Sequence, residues 1–255
     1  MRAPADARRG RALALAAVGA LSLSGCGSSS GSTAAAGSSP ALPQGSEKVT
    51  LDPADFTVDV TNKFWPLHPG ARWVYESVDA DGTAQHVEVA VLDETYEVAA
   101  GIEARVVHDV VMQGGALFED TRDHYAQDAD GNVWYMGEQT TEYPPGEAQS
   151  TEGSWEAGVD GAQAGIAVPA APRPGLMYRQ EYLKGQAEDQ AVVLSTGEKV
   201  QTPTGTYTGA LLTRETTALE PDGAELKFYV PGVGQVLTLQ TSGGSEREAL
   251  TEVSG

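Results

Sequence analysis

The densest group of oxygen donors in this 255-residue chain runs from Glu119, Asp120 and Asp123 to Asp128-Ala129-Asp130-Gly131-Asn132. Carboxylates and an amide gathered about a glycine suit a hard cation such as calcium, which makes Asp128, Asp130 and Asn132 the candidate metal ligands. The register of the segment argues against an EF-hand. With Gly131 at the sixth position of the loop, the first falls on Ala126 and the twelfth on Gly137, so both obligatory acids are missing. A hairpin turn between Tyr125 and Val133 needs the same residue types for its geometry alone. That is the reading the spacing favours, and no metal site is expected.

Other catalytic chemistries find little footing. His68, His86, His108 and His124 stand at no metal-binding interval from one another. Only His124 has an acid beside it in an acid-rich segment, and neighbours in a strand point to opposite faces, so ordinary surface or rim histidines are expected. There is no G-x-S-x-G elbow, and Ser154 has no identifiable base. Val230-Pro231-Gly232-Val233-Gly234 has the glycines of a phosphate loop without its strand-to-helix setting, and reads as a β-corner. Paired carboxylates could support an acidic hydrolase, yet acids this abundant single out no pair. Of the four tryptophans, Trp73 alternates with Tyr75 and belongs in a core. Trp65 and Trp155 sit in irregular segments; they are expected to be exposed and are the candidates for lining a ligand cleft.

Cys26 is the only cysteine, so it has no disulfide partner and no companion for a thiolate metal site. Four arginines among residues 2–11 precede an apolar run, 12–23, that is well short of the roughly 20 residues a spanning helix needs. This is the pattern of a signal peptide over residues 1–25. Leu23-Ser24-Gly25-Cys26 resembles the lipobox of bacterial lipoproteins. The resemblance implies a diacylglycerol thioether and an N-acyl chain on Cys26, as the covalent groups in place of any cofactor. Two or more acyl chains make anchoring stable where one is marginal. The expected location is the cell membrane, facing outside the cytoplasm.

Residues 26–48 are mostly Gly, Ser, Ala and Pro, and read as a flexible linker with a root-mean-square span on the order of 25 Å. The net charge is -20, and removal of residues 1–25, with four arginines and one aspartate, makes it -23. Such a surface repels nucleic acid and anionic headgroups. Calcium or a cation-associating structural role is compatible with it.

From Val49 onward short runs of Val, Thr, Tyr, Leu and Trp are divided by Gly, Pro, Asp and Asn, which is strand-and-turn grammar. Turns are expected at Asp79 to Thr83, Ala100-Gly101, Gly114-Gly115, Asp128 to Asn132, Ser195 to Glu198, Pro203 to Gly205 and Pro221 to Gly223. Strands are expected at about 71–78, 84–98, 102–113, 116–126, 132–138, 176–184, 188–195, 206–217, 224–230, 235–241 and 246–253. The fold class is therefore all-β and antiparallel: a curved open sheet or partly closed barrel built from two meanders, after a disordered tether. Pro69-Gly70-Ala71-Arg72-Trp73-Val74-Tyr75-Glu76 is echoed by Pro174-Gly175-Leu176-Met177-Tyr178-Arg179-Gln180-Glu181, which suggests halves at 49–139 and 170–255. The Gly/Pro-rich segment 140–174 between them is either an ordered excursion or a mobile part.

The segments 64–76, 120–137 and 228–236, with the motifs PLxPGxxWVYE, DxDGNVWY and YxPGVGxV, resemble a family of uncharacterised secreted and lipid-anchored bacterial proteins. The likeness covers about 60–253 and brings no catalytic residues with it. More distantly the chain resembles envelope proteins whose curved antiparallel sheet cups an apolar ligand. The sequence is thus read as a non-enzymatic binding or interaction module on a membrane anchor, for an apolar ligand, a glycan or a protein partner. Replacing Cys26 by Ser should release the protein from the membrane fraction and abolish its partition into detergent, as read by fractionation and Triton X-114 separation.

Overall fold

The computed structural model describes residues 42–78, 82–242, 244 and 246–255. Cys26, the signal peptide, most of the linker and the tip of the expected Asp79 to Thr83 turn lie outside the described residues. A short 3-10 turn, Pro53–Asp55, is capped by Asp52, whose side chain accepts the Ala54 N–H. The first half then supplies β1 (Phe56–Thr57), β2 (Arg72–Val78), β3 (Ala84–Glu97), β4 (Glu103–Gln113), β5 (Ala116–Asp128), β6 (Val133–Glu142), β7 (Trp155–Glu156) and β8 (Gln163–Val168). The second supplies β9 (Met177–Arg179), β10 (Glu181–Tyr182), β11 (Asp189–Thr202), β12 (Gly205–Thr217), β13 (Ala224–Val230), β14 (Gly234–Ser242) and β15 (Arg247–Ser254).

All the pairings are antiparallel and make one sheet in the order β10-β8-β6-β5-β4-β3-β2-β15-β14-β13-β12-β11-β9, with β1 added to β5 and β7 to β6. The two ends of this path are consecutive in the chain. The segment 177–182 pairs with β11 as far as Arg179 and with β8 from Glu181, changing neighbours at Gln180. The sheet therefore curls into a barrel that is closed but for one seam.

At that seam a side chain takes the place of the ladder. Arg179, 1% exposed, donates from Nη2 to the Ala164 carbonyl of β8 at 2.7 Å, and from Nη1 to the carbonyls of Gly45 (2.8 Å) and Glu47 (2.7 Å). The backbone N–H of Arg179 donates to Pro43. Residues 42–48, assigned to the linker by composition, thus lie along the seam as a strap. Composition misses this because the strap offers backbone carbonyls and hardly any apolar surface. Glycine at 165 is a requirement of the same closure, since a Cβ there would collide with the Arg179 and Gln180 carbonyls.

Two meanders of six strands, β2-β3-β4-β5-β6-β8 and β9-β11-β12-β13-β14-β15, make up the wall. Their entry corners carry the same hydrogen bonds. Gly70 N–H donates to Val91 O and Val91 N–H to Ala71 O; Gly175 N–H donates to Val193 O and Val193 N–H to Leu176 O. Each meander also has a bulge in its fourth strand, between His124 and Tyr125 and between Phe228 and Tyr229. One end of the barrel is plugged by Val60 to Leu67: Asn62 donates to Gly131 O, Gly232 N–H donates to Lys63 O, and Trp65 stacks on Trp73 with ring centroids 5.6 Å apart.

Two expectations need correction. No turn forms at Ser195 to Glu198; β11 runs through it with successive bulges and reverses at Pro203 to Gly205. The expected 176–184 strand is split at Gln180 by its change of partners. Of the two readings of 140–174 the ordered one holds: the segment contributes β7 and β8, strands that small, weakly patterned residues such as Gln163-Ala164-Gly165 did not announce.

Replacing Arg179 by Met keeps the stem but leaves the buried Ala164 carbonyl, and the part-buried carbonyls of the exposed Gly45 and Glu47, without their donor. An unsatisfied buried group costs about 1–3 kcal/mol, so urea unfolding should show a loss of about that size. Arg179→Lys should recover only part of it, because a single ammonium cannot replace the planar fork.

Candidate functional site

A barrel of about eight strands is filled by its own side chains, and diameter grows with strand number. The longer path here leaves a lumen, a cavity of about 460 Å³. Alternation decides what faces it. On β5, Thr121, Asp123 and Tyr125 point inward, and on β13, Glu225, Lys227 and Tyr229 do so. Among the described residues, ten acidic side chains and a single lysine line the lumen.

In the second half one lumen carboxyl has a counter-ion. Lys227 Nζ lies 2.9 Å from Glu215 Oε2 and 3.9 Å from Glu225. Glu215 also accepts from Gln180 Nε2 at 3.0 Å and from Thr213 Oγ1 at 2.9 Å. Burial alone would push the Glu215 carboxyl up; the Lys227 ammonium and these donors outweigh it and hold the pKa below the ordinary value. Burial likewise opposes the charge of Lys227, which Glu215 and Glu225 nonetheless keep protonated.

Among the described residues no lysine or arginine of the first half lines the lumen. Asp109 Oδ1 is buried without a hydrogen-bond partner, and burial, followed by the Asp123 and Glu248 carboxyls, pushes Asp109 well above its ordinary pKa. Asp123 and Glu138 face each other directly across the β5–β6 ladder, an arrangement unfavourable to two like charges. Burial raises Asp123 to about 7, even though the Tyr135 hydroxyl donates to it at 2.6 Å, and Glu138 to about 9. In the second half, away from Lys227, burial also raises Glu181 to about 8 and Glu248 to about 7. Beside this group Trp155 is opposite Glu138 in the β6–β7 pairing, packs edge-on to Tyr135, and turns its indole N–H toward Glu181 without closing a normal hydrogen bond.

The residues singled out by sequence fall into place unevenly. Trp65 borders the lumen but is only 8% exposed, and Trp155 is 4% exposed, so both are buried against the expectation of exposure. The irregular segments that carry them pack as a plug and as a short strand. Asp128 is a turn organiser: Oδ1 accepts the Asn132 N–H, and Oδ2 accepts Asn132 Nδ2 and Trp134 Nε1. Its oxygens are spent within the hairpin, Asn132 Oδ1 accepts the Ala170 N–H, and among the described residues no three His, Cys, Asp or Glu side chains are placed so that they could hold one ion. Ser154 clasps Thr140 through both backbone groups of that residue. His124 corrects the expectation of surface histidines. It is 2% exposed, faces away from the lumen, stacks on Tyr96 at 4.3 Å, and burial lowers its pKa to about 4.

Sequence reading missed the lumen acids Asp109, Asp123, Glu138 and Glu181. Their signal was the pair of inward rows Thr121-x-Asp123-x-Tyr125 and Glu225-x-Lys227-x-Tyr229, in which polar residues alternate up to a tyrosine.

Carboxyls with raised folded pKa values bind more protons folded than unfolded between about pH 4 and pH 9, so stability falls as pH rises through that range. His124, with its lowered value, acts in the opposite direction, but only below its unfolded pKa of about 6.5. The melting temperature should therefore decline from pH 6.5 to pH 9. Asp123→Asn and Glu138→Gln should each flatten the decline, measured by calorimetry at fixed ionic strength.

No protein-family model matches the chain, and no curated protein matches it in sequence. Two solved structures are similar to it. One is described as an exported protein with a YmcC-like fold, from Bacteroides fragilis, at 17% identity and a TM-score of 0.45, covering 76% of this chain and 100% of the other. The second is described as a lipoprotein from Parabacteroides distasonis, at 16% identity and a TM-score of 0.41, covering 76% of this chain and 99% of the other.

Proposed function

We propose that the chain is an exported, lipid-anchored binding module that holds a small polar ligand in the lumen of its barrel. The observation that carries this reading is a lumen of about 460 Å³ lined, among the described residues, by ten acidic side chains and a single lysine. Carboxyls without a counter-charge are costly in a closed interior, and a bound molecule can supply the partners that the chain does not. The arginine-rich leader and the lipobox at Cys26 support a location outside the cytoplasm. Carboxyls on this scale favour a polar ligand over an apolar one, which would leave them desolvated and unpaired.

One geometric feature supports a second reading as an acidic hydrolase: Asp123 and Glu138 stand opposite each other with pKa values of about 7 and 9. Two carboxyls of unequal acidity can divide acid and base roles. Native mass spectrometry of the mature lipoprotein from its own membranes separates the two. A binding module should carry a non-covalent mass at one per chain, lost in Thr238→Trp, which fills the lumen. A lumen that is always empty, with glycoside or ester turnover abolished by Glu138→Gln, would establish the hydrolase instead.

A further inference from the structure

The two meanders identify what is missing from the lumen, because strand pairing puts their residues in one-to-one correspondence. The bulges match His124 with Phe228 and Tyr125 with Tyr229; two residues back along each strand, Asp123 falls on Lys227. On the neighbouring strands Val107 pairs with Asp123 and Thr213 with Lys227, so Asp109 corresponds to Glu215. The corner bonds check this register independently. Val91, paired with Val107, and Val193, paired with Thr213, are the residues that receive Gly70 and Gly175.

Where the second half holds the ion pair Glu215–Lys227, the first half therefore holds two carboxyls, Asp109 and Asp123, and no cation. Lys227 cannot serve both places, being engaged at 2.9 Å by Glu215 and flanked by Glu225. Asp109 Oδ1 is buried with no partner. Glu138 adds a third carboxyl across the ladder from Asp123. The stacked rings of Tyr125 and Tyr135, with centroids 5.0 Å apart, add aromatic surface of the kind that attracts organic cations.

Resting on the reading of the lumen as a ligand site, we propose that the ligand is an organic amine whose ammonium sits between Asp109 and Asp123, as the counterpart of the Lys227 ammonium in the other half. A bare metal ion fits less well. Among the described residues no three His, Cys, Asp or Glu side chains are placed so that they could hold one ion, and the lumen of about 460 Å³ has room for a molecule several carbons long.

The test is calorimetric titration of the mature protein, freed of its native ligand by dialysis, with putrescine and spermidine, and with 1,4-butanediol and calcium chloride as comparisons. The amines should bind one per chain, and the diol and calcium should not. The isosteric variants Asp109→Asn and Asp123→Asn should each weaken amine binding on the order of tenfold or more. Asp123→Lys builds into the first half the ammonium that the second half already has, so it should abolish amine binding and raise the melting temperature. The proposal is overturned by a diol that binds as well as the diamine, by calcium taking the site, or by Asp123→Asn leaving amine affinity unchanged. A neutral or anionic mass carried by the native protein, with no amine binding, would overturn the ammonium and keep the lumen as a ligand site. An empty lumen that binds no amine removes both.

Discussion

Everything inside this protein depends on closing the sheet at Arg179. A barrel must bring its last strand back to its first, and here the same six residues, 177–182, serve as both ends of the path. A strand that changes neighbours at Gln180 cannot hydrogen-bond continuously to either side. A guanidinium can, since it is planar, permanently charged and carries five donors in a fixed fork. Buried at the seam, it gathers Ala164 from one wall and Gly45 and Glu47 from the strap. The missing Cβ at Gly165 lets the backbones come close enough for this to work. With the seam shut, Gln180 and Glu181 face the lumen, where Gln180 helps hold Glu215 and Glu181 joins the acidic group near Trp155.

The closed wall then sets the electrostatics. Carboxyls that would be unremarkable on a solvated sheet face are forced to share a low-dielectric interior, where each unpaired charge is expensive. The second meander resolves this at one point with Lys227, which keeps Glu215 ionised despite its burial. The first meander, built on the same pairing register, has Asp123 at the corresponding place, and its carboxyls respond by holding protons to higher pH. The contrast comes from Asp123 standing where the second meander has Lys227, and Glu138 where it has Thr238, on a shared framework, which is why the two halves interpret each other.

Much of the wall was legible in the sequence. Val87 and Val89 alternate with Glu88 and Ala90 and do face inward together, and the Pro-Gly corners open strands in both halves. The turn at Asp128 to Asn132 was readable because Asp and Asn supply hydrogen bonds that any tight reversal needs. Alternation gave less help in deciding which face was which. On β14 the apolar Leu237 and Leu239 point away from the lumen, while the polar Thr238 and Gln240 line it. A period-two pattern reports two faces and their polarity; it cannot distinguish a polar face open to solvent from one turned into a closed cavity.

Sequence alone determined the strand content, most hairpin turns and the approximate two-meander layout, along with Cys26 as the only cysteine, because these rest on local propensity and residue identity. Tertiary structure alone decided that β15 meets β2, that β8 completes the first meander, and that Arg179 and the strap seal the seam. It also brought Asp109, Asp123, Glu138 and Glu181 from four strands into one lumen. No local signal could have done so: acids on separate strands become a site only when curvature and closure put them on the same concave face, and closure is a property of the whole sheet.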